Sequence, residues 1–215
     1  MESGTRLILI RHGEARAAID RVIAGHRGCR GLSATGIQQA EALHDRLRST
    51  GEIRADVVVS SVLPRAVHTA EIIAPALGAK QVRHDCDVCE VHPGECDGMP
   101  VDEYDRRYGF NMTAEPERPL SPGGESLVAF QQRVTAGLNR LIEAHSGQSL
   151  VIVCHGGVIN VAMHWLLGAP PLHAQPPFRL EPANTSITEW ARADHSGRPW
   201  LLVRYNDFAH LHRAY

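Results

Sequence analysis

Three apolar runs in this chain never alternate with polar residues: LILI at 7–10, VVV within DVVVSS at 56–61, and LVIV within SLVIVCHGG at 149–157. A strand with one wet face alternates, whereas a strand covered on both faces does not. The runs therefore predict central strands of a parallel sheet with helices on either side. Helical patterns separate them, as that arrangement requires. Residues 33–50 carry Ile37, Ala40, Leu43 and Leu47 at helical spacing behind the caps Ser33 and Thr35. Residues 63–78 repeat the pattern and close on Gly78, and residues 124–145 place Leu127, Phe130, Val134, Leu138 and Leu141 along one stripe. Two more strands are expected at 185–192 and 200–207, joined by a turn over ADHSGRP at 193–199. The fold class is α/β, a three-layer α/β/α sandwich with a mostly parallel central sheet. One domain spans 1–215. Residues 81–123, rich in Asp, Glu, Pro and Gly, form a short cap-like excursion with a brief helix near 102–108.

Each of the three runs ends in polar, small or basic residues: Arg11-His12-Gly13, then Ser60-Ser61 with Arg65 close behind, then His155-Gly156-Gly157. Ligands of an open parallel sheet sit outside the carboxyl ends of its strands, so these groups are expected to share one edge. Two arginines, two histidines and nearby helix N-termini suit a phosphate. Arginines favour neutral imidazoles in the empty site, and a neutral imidazole can attack phosphorus. A carboxylic acid must then protonate the leaving alcohol and later accept a proton from water. Glu14, Glu90, Glu95, Asp97 and Glu125 are candidates, and their positions in the chain do not choose among them.

The rest of the chain narrows the setting. A net charge of −2 with acidic and basic residues interspersed gives no footprint for nucleic acid or an anionic membrane. Five cysteines without a disulfide-like spacing, and no long apolar segment near the start, point to a cytoplasmic protein. A cysteine phosphatase is excluded because its Cys-x5-Arg loop is absent: Thr35, His92, Glu95, Asp102 and Asn160 stand six residues beyond the five cysteines. Cys86, Cys89, His92 and Cys96 have a spacing that could hold zinc, but the expectation is of ordinary loop cysteines, with His92 at the site entrance.

LIRHGEAR, SSVLPRAVHTAEIIA, CEVHPGECDG, SPGGES and VIVCHGGVI, in that order, together with PANTSITEW and RYNDFAHL, resemble the histidine phosphatase superfamily, also called phosphoglycerate mutase-like. The resemblance covers roughly residues 5 to 210. It implies that His12 is the nucleophile that becomes phosphorylated, that Arg11 and Arg65 clamp the phosphate, and that His155 is the second phosphate-binding histidine. Glu90 matches the proton donor, and Gly13 and Gly156 are expected to face the substrate. The family implies no metal and no organic cofactor. The partner would be a small phosphate ester, and the short excursion favours hydrolysis over the mutase alternative. A non-catalytic phospholigand binder is disfavoured because both His12 and Glu90 are present. Departures are Ala15 and Ala18 where the family usually has Thr and Asn, a shorter loop at 25–36, and Cys96 in place of an aromatic residue.

Overall fold

The computed structural model describes residues 4–109, 112–172, 180–192 and 200–213. Strand β1 (Thr5–Arg11) is followed by a short helix α1 (Arg16–Ile19) and by α2 (Ala34–Thr50). Then come β2 (Val57–Ser60), α3 (Pro64–Ile73), β3 (Arg83–His84), α4 (Val101–Arg107), α5 (Leu127–Ala144), β4 (Ser149–Cys154), α6 (Gly156–Leu166), β5 (Ile187–Arg192) and β6 (Leu201–Asp207). The six strands form one sheet in the order β3-β2-β4-β1-β5-β6. The first four pair in parallel, and β5 runs antiparallel to both β1 and β6.

The unbroken apolar runs have the predicted cause. Leu7 and Leu9 of β1, with Leu150 and Ile152 of β4, face a core built on α5 and α6. Ile8, Ile10, Val151 and Val153 face the opposite core, with Leu43 and Leu47 of α2 and Ala66, Ala70 and Ile73 of α3. Every residue of the runs 7–10 and 150–153 thus has a buried partner on one side of the sheet or the other. Each such side chain contributes about 1.5–3 kcal/mol through removal from water.

Helix boundaries follow local chemistry. Ser33 caps α2 by accepting a hydrogen bond from Gly36 N at 2.9 Å, and Gly51 closes it in the left-handed conformation, φ 61°. The helix expected at 63–78 is α for Pro64–Ile73 and tightens to a 3-10 turn over Ala74–Leu77 before Gly78. Helix α5 begins at Leu127 rather than 124, because Ser126 is the residue whose hydroxyl receives Ala129 N; Gly123 and Gly124 belong to the preceding turn. The excursion also begins later than 81: Arg83 and His84 pair with Val59 and Ser60 as the edge strand, so the chain leaves the sheet only after 84. Too short to show a periodicity, such a strand is legible only through its neighbour. The turn expected at 193–199 lies outside the described residues. No helix among the described residues is long and apolar enough to cross a membrane.

Candidate active site

His12 leaves the carboxyl end of β1, the strand flanked by β4 and β5, and is 7% exposed. Its Nδ1 lies 2.6 Å from Gly13 O, a group that can only accept, so Nδ1 carries the ring proton. The lone pair is therefore on Nε2, where Arg65 Nε donates to it at 3.1 Å. Burial, then the Arg65 and Arg11 charges, hold the imidazole well below its ordinary pKa, against the opposing effect of the Gly13 bond. The result is a neutral imidazole with its free nitrogen turned towards a guanidinium.

The other strand ends arrive as the sequence predicts. His155, fully buried, follows β4 and lies with its ring centroid 5.0 Å from that of His12. Its Nε2 pairs with Ser61 Oγ at 2.8 Å, and its Nδ1 is buried with no hydrogen-bond partner. Burial above all, with the charges of Arg65, Arg11 and Arg133, likewise depresses its pKa. Arg65 is buried in the first turn of α3, which Pro64 opens with its fixed backbone angle, and also donates to Ala24 O. Arg11 donates to Pro182 O, while its Nε is buried and unpaired. Burial lowers the Arg11 pKa, with Glu90 and Glu181 opposing and Arg65 adding to the effect. Two unpaired nitrogens beside two guanidinium groups form a setting in which an anion supplies missing hydrogen bonds and missing charge.

The carboxylate that the chain order left open is separated from its rivals by what each one touches. Glu14 accepts Ser33 Oγ at 2.6 Å beside the start of α2. Glu125 is held by Arg133 through two 2.7 Å bonds. Asp97 accepts the backbone N–H groups of Gly25, Arg27 and Gly28 at 2.8–2.9 Å; burial alone would raise its pKa, and these bonds outweigh it. Glu95 is exposed. Glu90 remains, half-buried, with Oε2 accepting from Gly157 N at 3.0 Å at the start of α6 and its charge felt by Arg11.

Two glycines divide their work differently from expectation. Gly13 N–H is donated to Thr69 Oγ1, and a Cβ on Gly13 would stand 2.5 Å from Gly36 O, so this glycine seats the loop against α2 instead of offering its N–H to a ligand. Gly156 opens α6, where a Cβ would lie 3.7 Å from Arg11 Nε. Gly157, not singled out from the sequence, is the tighter position: a Cβ there would meet Glu90 Oε1 at 2.2 Å. Ser61 joins His155 to Leu63 N and Cys89 Sγ. Asn184 Nδ2 donates to His12 O at 2.9 Å, and Thr185 N to Arg11 O at 3.0 Å, with Thr185 at φ 56°. No local pattern marks these two residues; only their place in PANTSITEW does. Ala15 is buried and bridges to Leu32, whereas Ala18 is exposed.

Known proteins share this fold. The chain is 32% identical over 211 residues to phosphoglycerate mutase-like protein 4 of Arabidopsis thaliana, covering 95% of this chain and 86% of that one. Among solved structures it is similar to a mycobacterial glucosyl-3-phosphoglycerate phosphatase complexed with VO3, with TM-score 0.73, 27% identity, and 94% and 98% of the two chains covered. It is also similar to a phosphoserine phosphatase variant from Entamoeba histolytica in complex with phosphoserine, with TM-score 0.73, 25% identity, and 96% and 99% covered. The family model for branch 1 matches residues 7–207, which contain every strand end described above, and the chain belongs to the histidine phosphatase superfamily.

Proposed function

We propose that this chain is a phosphomonoesterase that hydrolyses a small phosphorylated metabolite through a phosphohistidine at His12. The carrying observation is the His12 ring, whose proton is fixed on Nδ1 by Gly13 O while Nε2 faces Arg65 in a buried pocket. Nε2 attacks phosphorus as the ester P–O bond breaks, and Glu90, in its acid form, gives its proton to the departing alcohol. Arg11, Arg65 and His155 bear on the phosphoryl oxygens, whose negative charge the two guanidinium groups balance without a metal. Glu90 as carboxylate then takes a proton from water, the water oxygen bonds to phosphorus, and the P–N electron pair returns to Nε2 with release of inorganic phosphate.

Transfer to a second hydroxyl, the mutase alternative, requires a phosphohistidine sheltered from water. Among the described residues between 85 and 126 the one α-helix is α4, of seven residues, which favours hydrolysis. Five free cysteines fit a reducing compartment, and the cytoplasm is our reading of location. The test is His12→Ala assayed against a panel of phosphometabolites, with inorganic phosphate and isomerised products both followed. Loss of phosphate release with no isomer formed by the parent enzyme is the expected result; phosphate release retained by the variant would refute the nucleophile assignment.

A further inference from the structure

Cys86, Cys89 and His92 meet a partner that their spacing did not suggest. The fourth cysteine of that stretch, Cys96, is fully buried elsewhere and donates its thiol to Pro93 O at 3.1 Å. Its place is taken by His26, from the loop before α2, sixty residues from Cys86 in sequence. The ligand atoms of His26, Cys86, Cys89 and His92 all lie within 4.8 Å of one another, and among the described residues this is the one such group of three or more.

Cys86 Sγ stands 3.6 Å from His26 Nε2, 3.5 Å from His92 Nε2 and 2.7 Å from Cys89 Sγ. One thiol proton cannot satisfy three such neighbours. Zinc bonds of about 2.3 Å to sulfur and about 2.0–2.1 Å to nitrogen give a tetrahedron whose sulfur–nitrogen edges are about 3.5 Å. Both observed sulfur–nitrogen separations match that edge, and the two sulfurs need part by only about 1 Å to reach theirs.

Neighbouring groups hold the segment in place. Arg133 lies against this segment, with Nη1 donating to the carbonyls of Cys86, Asp87 and Cys89 at 2.9–3.1 Å. Ser61 Oγ donates to Cys89 Sγ at 3.3 Å. His92 presents Nε2 to the cluster and keeps Nδ1 3.7 Å from Glu125 Oε2, so that a shift of a few tenths of an ångström would give the carboxylate-to-imidazole bond that orients metal-bound histidines.

We propose that His26, Cys86, Cys89 and His92 bind one zinc ion as a closed structural site, distinct from the phosphate pocket. With four protein ligands the ion has no open position for a substrate or water, so its part is a cross-link. It joins the loop before α2 to the segment that carries Glu90. It also touches, through Cys89 and Ser61, the residue that holds His155.

The test is metal analysis of the full chain purified under reducing conditions, followed by zinc titration against a chromophoric chelator and by cobalt substitution. The expected result is one zinc per chain, and a cobalt form with the visible bands of a tetrahedral site and thiolate-to-cobalt charge transfer. The Cys86→Ser/Cys89→Ser variant loses both, His26→Gln weakens zinc by more than about tenfold, and Cys96→Ser keeps full occupancy. His12→Ala also retains the zinc while losing turnover, so this site and the proposed reaction can fail separately. Absence of zinc after titration, a Cys86–Cys89 disulfide recovered from reduced preparations in its place, or equal loss of metal in Cys96→Ser would overturn the proposal.

Discussion

Arg6 near the start of β1 and Arg11 at its end belong to two charge clusters built on opposite plans. At the start, Arg6 pairs with Glu189 at 2.6 Å, Glu189 with Arg204 at 2.8 Å, Arg204 with Glu52 at 2.6 Å, Glu52 with Arg46 at 2.6 Å, and Arg46 with Asp207 at 2.6 Å. Three arginines meet three carboxylates there. At the end, Arg11 and Arg65 stand with two neutral imidazoles and Glu90, and Arg11 Nε and His155 Nδ1 have no hydrogen-bond partner. The balanced cluster fastens β6 and α2 to the sheet. The unbalanced one keeps an excess of positive charge that an anion would offset, the difference expected between a structural network and a binding site.

Breaking the unbalanced cluster has the largest expected effect. Arg65→Ala removes both the clamp and the donor facing His12, and kcat/KM should fall about 10³–10⁵-fold, read by phosphate release. Glu90→Gln should slow alkyl phosphates about 10²–10⁴-fold and aryl phosphates, whose leaving groups need little protonation, much less. An equal fall for both classes would point to another acid. Gly157→Ala forces Glu90 aside and should cost about 10²-fold in kcat with KM little changed, again more for alkyl esters.

The stability effects are smaller and separate the two clusters by their response to pH. The folded chain depresses the pKa of both active-site histidines, so it binds fewer protons than the unfolded chain. Their contribution is complete above an unfolded pKa of about 6.5 and is lost as pH falls below it. Saturating inorganic phosphate should flatten that part of a melting-temperature profile; an unchanged slope would assign it to other groups. Asp207→Asn should cost about 1–2 kcal/mol in denaturant unfolding at neutral pH while kcat stays the same. Arg46 above all holds the Asp207 pKa below its ordinary value, so the difference between variant and parent should shrink as pH falls below about 4.

What the chain order made legible was whatever a single segment carries by itself. The three unbroken apolar runs specified strands covered on both faces, and the residues just beyond them specified one edge, because strand direction alone delivers Arg11, His12, Arg65 and His155 there. Glu90 was different: the residues alone left five carboxylates open and only the family resemblance picked it out, and in the structure Ser33, Arg133 and the 25–28 backbone hold three of its rivals. His26 could not be paired with Cys86, since the contact joins positions sixty residues apart. Asn184 and Gly157 were hidden for a related reason, their roles being to hold His12 and to leave room for Glu90, which no periodicity records.

His12, the proposed nucleophile, follows β1, which is hydrogen-bonded on both sides, and its loop is keyed to α2 through the paired glycines Gly13 and Gly36. Such a mounting leaves the imidazole almost no latitude to follow a differently shaped ester. Adaptation to a new substrate must therefore fall to the 23–31 loop and the 85–126 excursion, which meet through Asp97 and Gly98. Exchanging those two segments as a unit with those of a relative should change substrate preference while Arg11, His12, Arg65 and His155 are inherited intact and the relative's segment supplies the acid in place of Glu90. Exchanging either alone would separate surfaces that were shaped together.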